Sequence, residues 1–108
     1  MSSEQRPKFD SAGMTQWHWK VLHKENFILG NNTQIGSFTV IDAENGVTIE
    51  DDVKIGRNTI ISANSVICTG SIIGSDSYIG SNVTVYNNSY IGISFDINSL
   101  FQENSSSK

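Results

Sequence analysis

Residues 49–91 read IEDDVKIGRNTIISANSVICTGSIIGSDSYIGSNVTVYNNSYI, and a six-residue period runs through the whole stretch. Ile49, Ile55, Ile61, Ile67, Ile73, Ile79, Val85 and Ile91 stand six apart without a slip. Two residues before each comes a small residue: Val47, Val53, Thr59, Ser65, Ser71, Ser77, Val83 and Ser89. Side chains two apart on a strand point the same way, so each pair faces one interior. Three residues after the aliphatics from Ile49 to Val85 come Asp52, Asn58, Asn64, Gly70, Asp76, Asn82 and Asn88. Asn, Asp and Gly tolerate a positive φ. Each hexad is therefore a short strand followed by a tight left-handed turn. Three hexads close one triangular coil, and stacked coils pair in parallel. The fold expected is a left-handed parallel β-helix. A β-sandwich fits less well, because its strands recur every 8–12 residues with variable spacing.

Working upstream, Leu29, Ile35 and Ile41 keep the same step, preceded by Phe27, Thr33 and Thr39. Ile41 to Ile49 is a step of eight, which places a two-residue insertion in the stretch from Asp42 to Gly46. The period divides the chain into an N-terminal segment (1–26) containing Trp17-His18-Trp19, the β-helix (27–92), and a polar C-terminal tail (93–108). Within that tail, 93–101 suits either one short strand or one helical turn. The tryptophans are read as a hydrophobic lid over the first coil, whose strand edges would otherwise be exposed.

Folded at three hexads per coil, the inward aliphatics form three stacks, giving three to four coils. Leu29, Ile49, Ile67 and Val85 line the first face; Ile35, Ile55, Ile73 and Ile91 the second; Ile41, Ile61 and Ile79 the third. The residues just before them point outward. On the third face these are Val40, Ile60 and Tyr78, all apolar. A contiguous apolar face on a small protein marks an interface. A homotrimer packed through this face is expected.

With Lys+Arg 7, Asp+Glu 11 and a net charge of −4, the chain carries no basic patch, and nucleic acid is not an expected partner. No apolar run reaches the roughly 18 residues of a membrane span. The first ten residues lack the apolar core of a secretory signal, and Cys68 is the sole cysteine, so a cytoplasmic location is expected. Four N-x-S/T sequons, at Asn31, Asn82, Asn87 and Asn104, are read as chance in an Asn- and Ser-rich chain.

The pattern aliphatic-Gly-x-x-small-x, in Ile55-Gly56, Ile73-Gly74, Ile79-Gly80 and Ile91-Gly92, resembles the bacterial transferase hexapeptide repeat. Residues 25–56 are similar to sugar O- and N-acetyltransferases of the hexapeptide acyltransferase family. The resemblance covers the repeat region only. It implies a trimer that transfers an acetyl group from acetyl-CoA to a hydroxyl or amine of a sugar or similar small acceptor, with CoA held between adjacent subunits. A histidine is the family's usual general base.

The sequence departs from the family at that point, because residues 27–92 contain no histidine. The family's projecting loop is reduced to the two-residue insertion, and its Pro-Gly turn and C-terminal helix have no counterpart; the one proline is Pro7. His18 and His23 are therefore the candidate catalytic bases, although a capping or surface role also accounts for them. Asp42 and Glu44 stand at the insertion, the irregular point of the scaffold, where a carboxylate would orient an acceptor or serve as base. Cys68 stacks between Glu50 and Tyr86, a poor setting for a nucleophilic thiolate. No metal is expected: hexapeptide-repeat carbonic anhydrases hold zinc through histidines that this repeat lacks. An ice-binding surface is not expected either, since Val66 interrupts Thr48 and Thr84. The rival reading is a non-catalytic β-helix serving as a scaffold or assembly module.

Overall fold

A computed structural model describes residues 6–92, so the expectations for 93–108 lie outside the described residues. The twelve strands are β1 (Lys20–Leu22), β2 (Phe27–Leu29), β3 (Gln34–Ile35), β4 (Val40–Asp42), β5 (Val47–Ile49), β6 (Lys54–Ile55), β7 (Ile60–Ile61), β8 (Ser65–Ile67), β9 (Ile72–Ile73), β10 (Tyr78–Ile79), β11 (Thr84–Val85) and β12 (Tyr90–Ile91). They form three four-stranded parallel sheets, each taking every third strand: β1-β4-β7-β10, β2-β5-β8-β11 and β3-β6-β9-β12. The result is a left-handed β-helix of about four turns.

The register matches the three stacks read from the period. Leu29, Ile49, Ile67 and Val85 pair in sequence on the first face, and Ile35, Ile55, Ile73 and Ile91 on the second. On the third face Ile41, Ile61 and Ile79 pair, with Val21 one step above Ile41. Ile41, Ile49, Ile61, Ile67 and Ile73 are at most 1% exposed, so one continuous aliphatic column fills the axis.

The small inward residues do more than fit the corners. Thr39 Oγ1 donates to Gly56 O at 2.8 Å, Thr59 Oγ1 to Gly74 O at 3.0 Å, Ser65 Oγ to Gly80 O at 2.9 Å and Ser71 Oγ to Tyr86 O at 2.8 Å. The same hydroxyls accept backbone N–H groups from Thr59, Ser77, Val83 and Ser89 in the next coil. A buried hydroxyl without partners is costly. Among the described residues, no buried side-chain polar atom lacks one. The glycine after the aliphatic has a steric cause: a Cβ at Gly56 would overlap the backbone of Ser75 in the coil below.

All seven corner residues named from the sequence adopt positive φ, between 55° at Asn58 and 79° at Gly70. Asn32 continues the series at 60°.

Two features lie outside the sequence reading. Strand β1 belongs to the prism although it precedes the repeat. And the two-residue insertion between Ile41 and Ile49 is not alone: Val21 to Leu29 is also a step of eight. The two long connections stack at the same corner, between the third and first faces. The upper one contains a 3-10 turn, Lys24–Asn26.

The upper end is closed. Residues 13–15 run antiparallel to β1: Val21 N–H donates to Gly13 O at 2.9 Å, and Thr15 N–H and Oγ1 donate to Trp19 O at 2.8 and 2.9 Å. Trp19 is 3% exposed and meets Phe27 and Phe9 edge-on, with Trp17 stacked on it at 6.3 Å. Arg6 donates to Leu29 O and Gly30 O at the edge of β2. On the third face Ile60 and Tyr78 are 46% and 67% exposed, and Val40 is half-buried.

Candidate functional site

Stacking the two eight-residue connections brings together residues that are far apart in sequence. His23 follows β1 directly, in the left-handed conformation (φ 60°) at the start of the 3-10 turn. Asp42 ends β4, in register with Leu22. His23 is the residue after Leu22, so the carboxylate of the second coil lies under the imidazole of the first. His23 Nδ1 and Asp42 Oδ1 are 3.6 Å apart. That is ion-pair distance rather than a hydrogen bond, and catalytic contacts in sites without substrate are often this long.

The carboxylate is held by its own turn: Glu44 N–H donates to Asp42 Oδ1 at 3.1 Å. The side chain of Asn26 joins the two connections by donating to Glu44 O at 3.1 Å, and the Asn26 N–H donates to His23 O at 2.9 Å. From below, Asn64 N–H donates to Gly46 O at 2.7 Å. Both ring and carboxylate are nearly half exposed, at 48% and 40%. Beside them lies an open groove of about 230 Å³ lined by Ser11, Ala12, Gly13, Leu22, His23 and Lys24, among others.

A carboxylate on Nδ1 selects the tautomer that carries its proton there and leaves Nε2 free to accept one. This arrangement suits removal of a proton from a hydroxyl or amine in the groove. Lys24 and Glu25 stand together on the groove wall, one cation and one anion.

The remaining candidates fall elsewhere. His18 lies at the other end of β1, at the corner between the second and third faces. Its carbonyl accepts the Phe38 N–H at 2.6 Å, and its ring is 6.4 Å from that of Phe38. Glu44 contributes backbone rather than carboxylate to the dyad. Cys68 is partly buried; burial pushes its thiol above the usual range, and the Glu50 carboxylate adds to the rise. Glu50 is occupied with Thr69 N–H and Oγ1, at 3.0 and 3.1 Å. Among the described residues, no group of three or more His, Cys, Asp or Glu side chains is placed to hold a metal ion, and no helix is long and apolar enough to cross a membrane.

Asn26 carries no motif and was not singled out by its sequence. The signal available was the repeated step of eight, which predicts that the two long connections stack and that their side chains meet.

Residues 28–69 match the family model described as bacterial transferase hexapeptide (six repeats). The match takes in Asp42 and leaves His23 outside it. No curated protein and no solved structure matches the chain.

Proposed function

Starting from a chain that carries bacterial transferase hexapeptide repeats, we propose that it is an acyltransferase, moving an acetyl group from acetyl-CoA to a hydroxyl or amine of a sugar-like small acceptor in the cytoplasm. The observation that carries this reading is the 3.6 Å approach of His23 Nδ1 to Asp42 Oδ1 beside an open groove. It supplies the base that the regular coils lack.

Acetyl-CoA brings the activated thioester carbonyl. His23 Nε2 takes the acceptor's proton as the acceptor oxygen or nitrogen forms the new acyl bond. Asp42 stabilises the resulting imidazolium, which returns the proton to the departing thiolate. Lys24 is the cation on the groove wall that would meet the donor's phosphates, with Glu25 next to it in the chain on the same wall. The working form is a homotrimer packed through Val40, Ile60 and Tyr78. The third face ends at the corner that carries His23 and Asp42, so a neighbouring copy would deepen the groove.

The test is thiol release from acetyl-CoA over a panel of sugar and amino-sugar acceptors. His23→Ala is expected to lower turnover by about 10²–10⁴-fold, the contribution of a general base. Unchanged turnover would remove His23 from the mechanism.

A second reading, a non-catalytic scaffold, is favoured by the absence of any histidine from residues 27–92. Calorimetry separates the two: no acetyl-CoA binding at millimolar concentration supports the scaffold.

A further inference from the structure

We propose that Asn26 is a positioning residue for the His23–Asp42 dyad, an inference that rests on the reading of His23 as base. His23 and Asp42 belong to different coils. The β1–β4 ladder fixes their register as far as Leu22 and Asp42. One further bond, from the Ala43 N–H to Leu22 O at 2.9 Å, continues the ladder; beyond it each chain enters a long connection, and the ladder no longer sets how the imidazole is aimed at the carboxylate.

A closed circuit of contacts sets it instead. His23 O accepts the Asn26 N–H at 2.9 Å. Asn26 Nδ2 donates to Glu44 O at 3.1 Å. Glu44 N–H donates to Asp42 Oδ1 at 3.1 Å. Asp42 Oδ1 faces His23 Nδ1 at 3.6 Å, which closes the ring. Asn26 joins the two connections by hydrogen bonds: its backbone holds His23 and its side chain holds the turn that presents Asp42.

Two further observations make the side-chain link consequential. His23 has φ 60°, a left-handed conformation that costs free energy for a residue with a side chain and is kept by the contacts around it. And the turn at 43–46 is held from below through Gly46 O and at its start by the Ala43 N–H donating to Leu22 O at 2.9 Å, while the Asn26 amide is the side-chain tie between its middle and the upper connection. With that amide removed, the Ala43–Leu22 bond keeps the two backbones in register, while the 3-10 turn that carries His23 loses its side-chain tie to the turn below. Ring and carboxylate then separate without loss of the fold.

The experiment reads the tautomer of neutral His23 by 15N NMR on the full chain, with no substrate present. In the wild type the Nδ1–H form is expected to dominate, held by Asp42. Asp42→Asn is expected to lose that preference. Asn26→Ala is expected to shift the distribution towards that of Asp42→Asn, with the Val21 and Ile41 amide signals unchanged. A wild-type distribution in Asn26→Ala, alongside a shifted Asp42→Asn, overturns the positioning role and leaves the dyad standing. No shift in Asp42→Asn overturns the dyad and the positioning role together.

Discussion

Phe38 occupies a backbone conformation that the repeat, residues 27–92, otherwise reserves for Asn, Asp or Gly. Its φ is 66°, on the same corner stack as Asn58 and Asp76 at 55° and 61°, with His18 above it at 69°. A bulky residue pays on the order of 1–2 kcal/mol for that region. Phe38 recovers little by packing: it is 61% exposed, and its one ring neighbour is the tilted imidazole of His18. Phe38→Asn is therefore expected to stabilise the chain by about 1 kcal/mol, which in a domain of this size raises Tm by roughly 4–8 °C. Thermal unfolding followed by circular dichroism checks this, and an unchanged or lower Tm would show that the ring packs better than its exposure indicates. The same corner shows where sequence reading stops. Asn58, Asn64 and Asn82 announce their turns because their chemistry suits positive φ. Phe38 and His18 adopt the same turn with no such chemistry, because the coils above and below impose it.

At the scale of strands and connections, β1 escaped the period for a physical reason. Its inward pair is Trp19 and Val21, with the largest side chain at the position held by Phe27 in β2 and by Ser, Thr or Val from Thr33 on. A terminal coil has no neighbour above, so that position has room for an indole, which then closes the interior. The antiparallel cover over β1 depends on Gly13, whose φ is +88° and whose Cβ would overlap the Val21 carbonyl oxygen. Gly13→Ala is expected to lift residues 10–15 from β1 at a cost on the order of 1–3 kcal/mol. Hydrogen exchange at the Val21 amide, which donates to Gly13 O, should accelerate while Ile61 and Ile67 keep their protection. Equal protection at Val21 in both proteins would mean that the cover tolerates a methyl group. The site was legible in its parts and not in its assembly. His23 and Asp42 each stood out, one as a histidine and one as an acid at an irregular step. That they meet follows from the two equal steps of eight, of which the six-residue period exposes only the lower.

For the whole molecule, the shape restricts how copies associate. The upper end is covered by residues 6–19, so coils do not stack end to end there, and lateral contact through a face remains. The chain carries a net charge of −4, which opposes association unless an apolar surface drives it. The third face offers one: Val40, Ile60 and Tyr78 stack down it, with Lys20 above them and Asp42 at the end of β4 as outward charges. Ile60 sits at the middle of this column with its side chain outside the core, so Ile60→Asp leaves the interior intact. The variant is expected to run as a monomer by light scattering, with an unchanged circular dichroism spectrum, and the wild type as the proposed trimer. The third face borders the corner that carries His23 and Asp42, so the monomeric variant is also expected to lose acetyl-CoA binding by calorimetry. A trimeric Ile60→Asp protein would move the interface to another face. A monomer that still bound acetyl-CoA with wild-type affinity would place the whole binding groove within one chain.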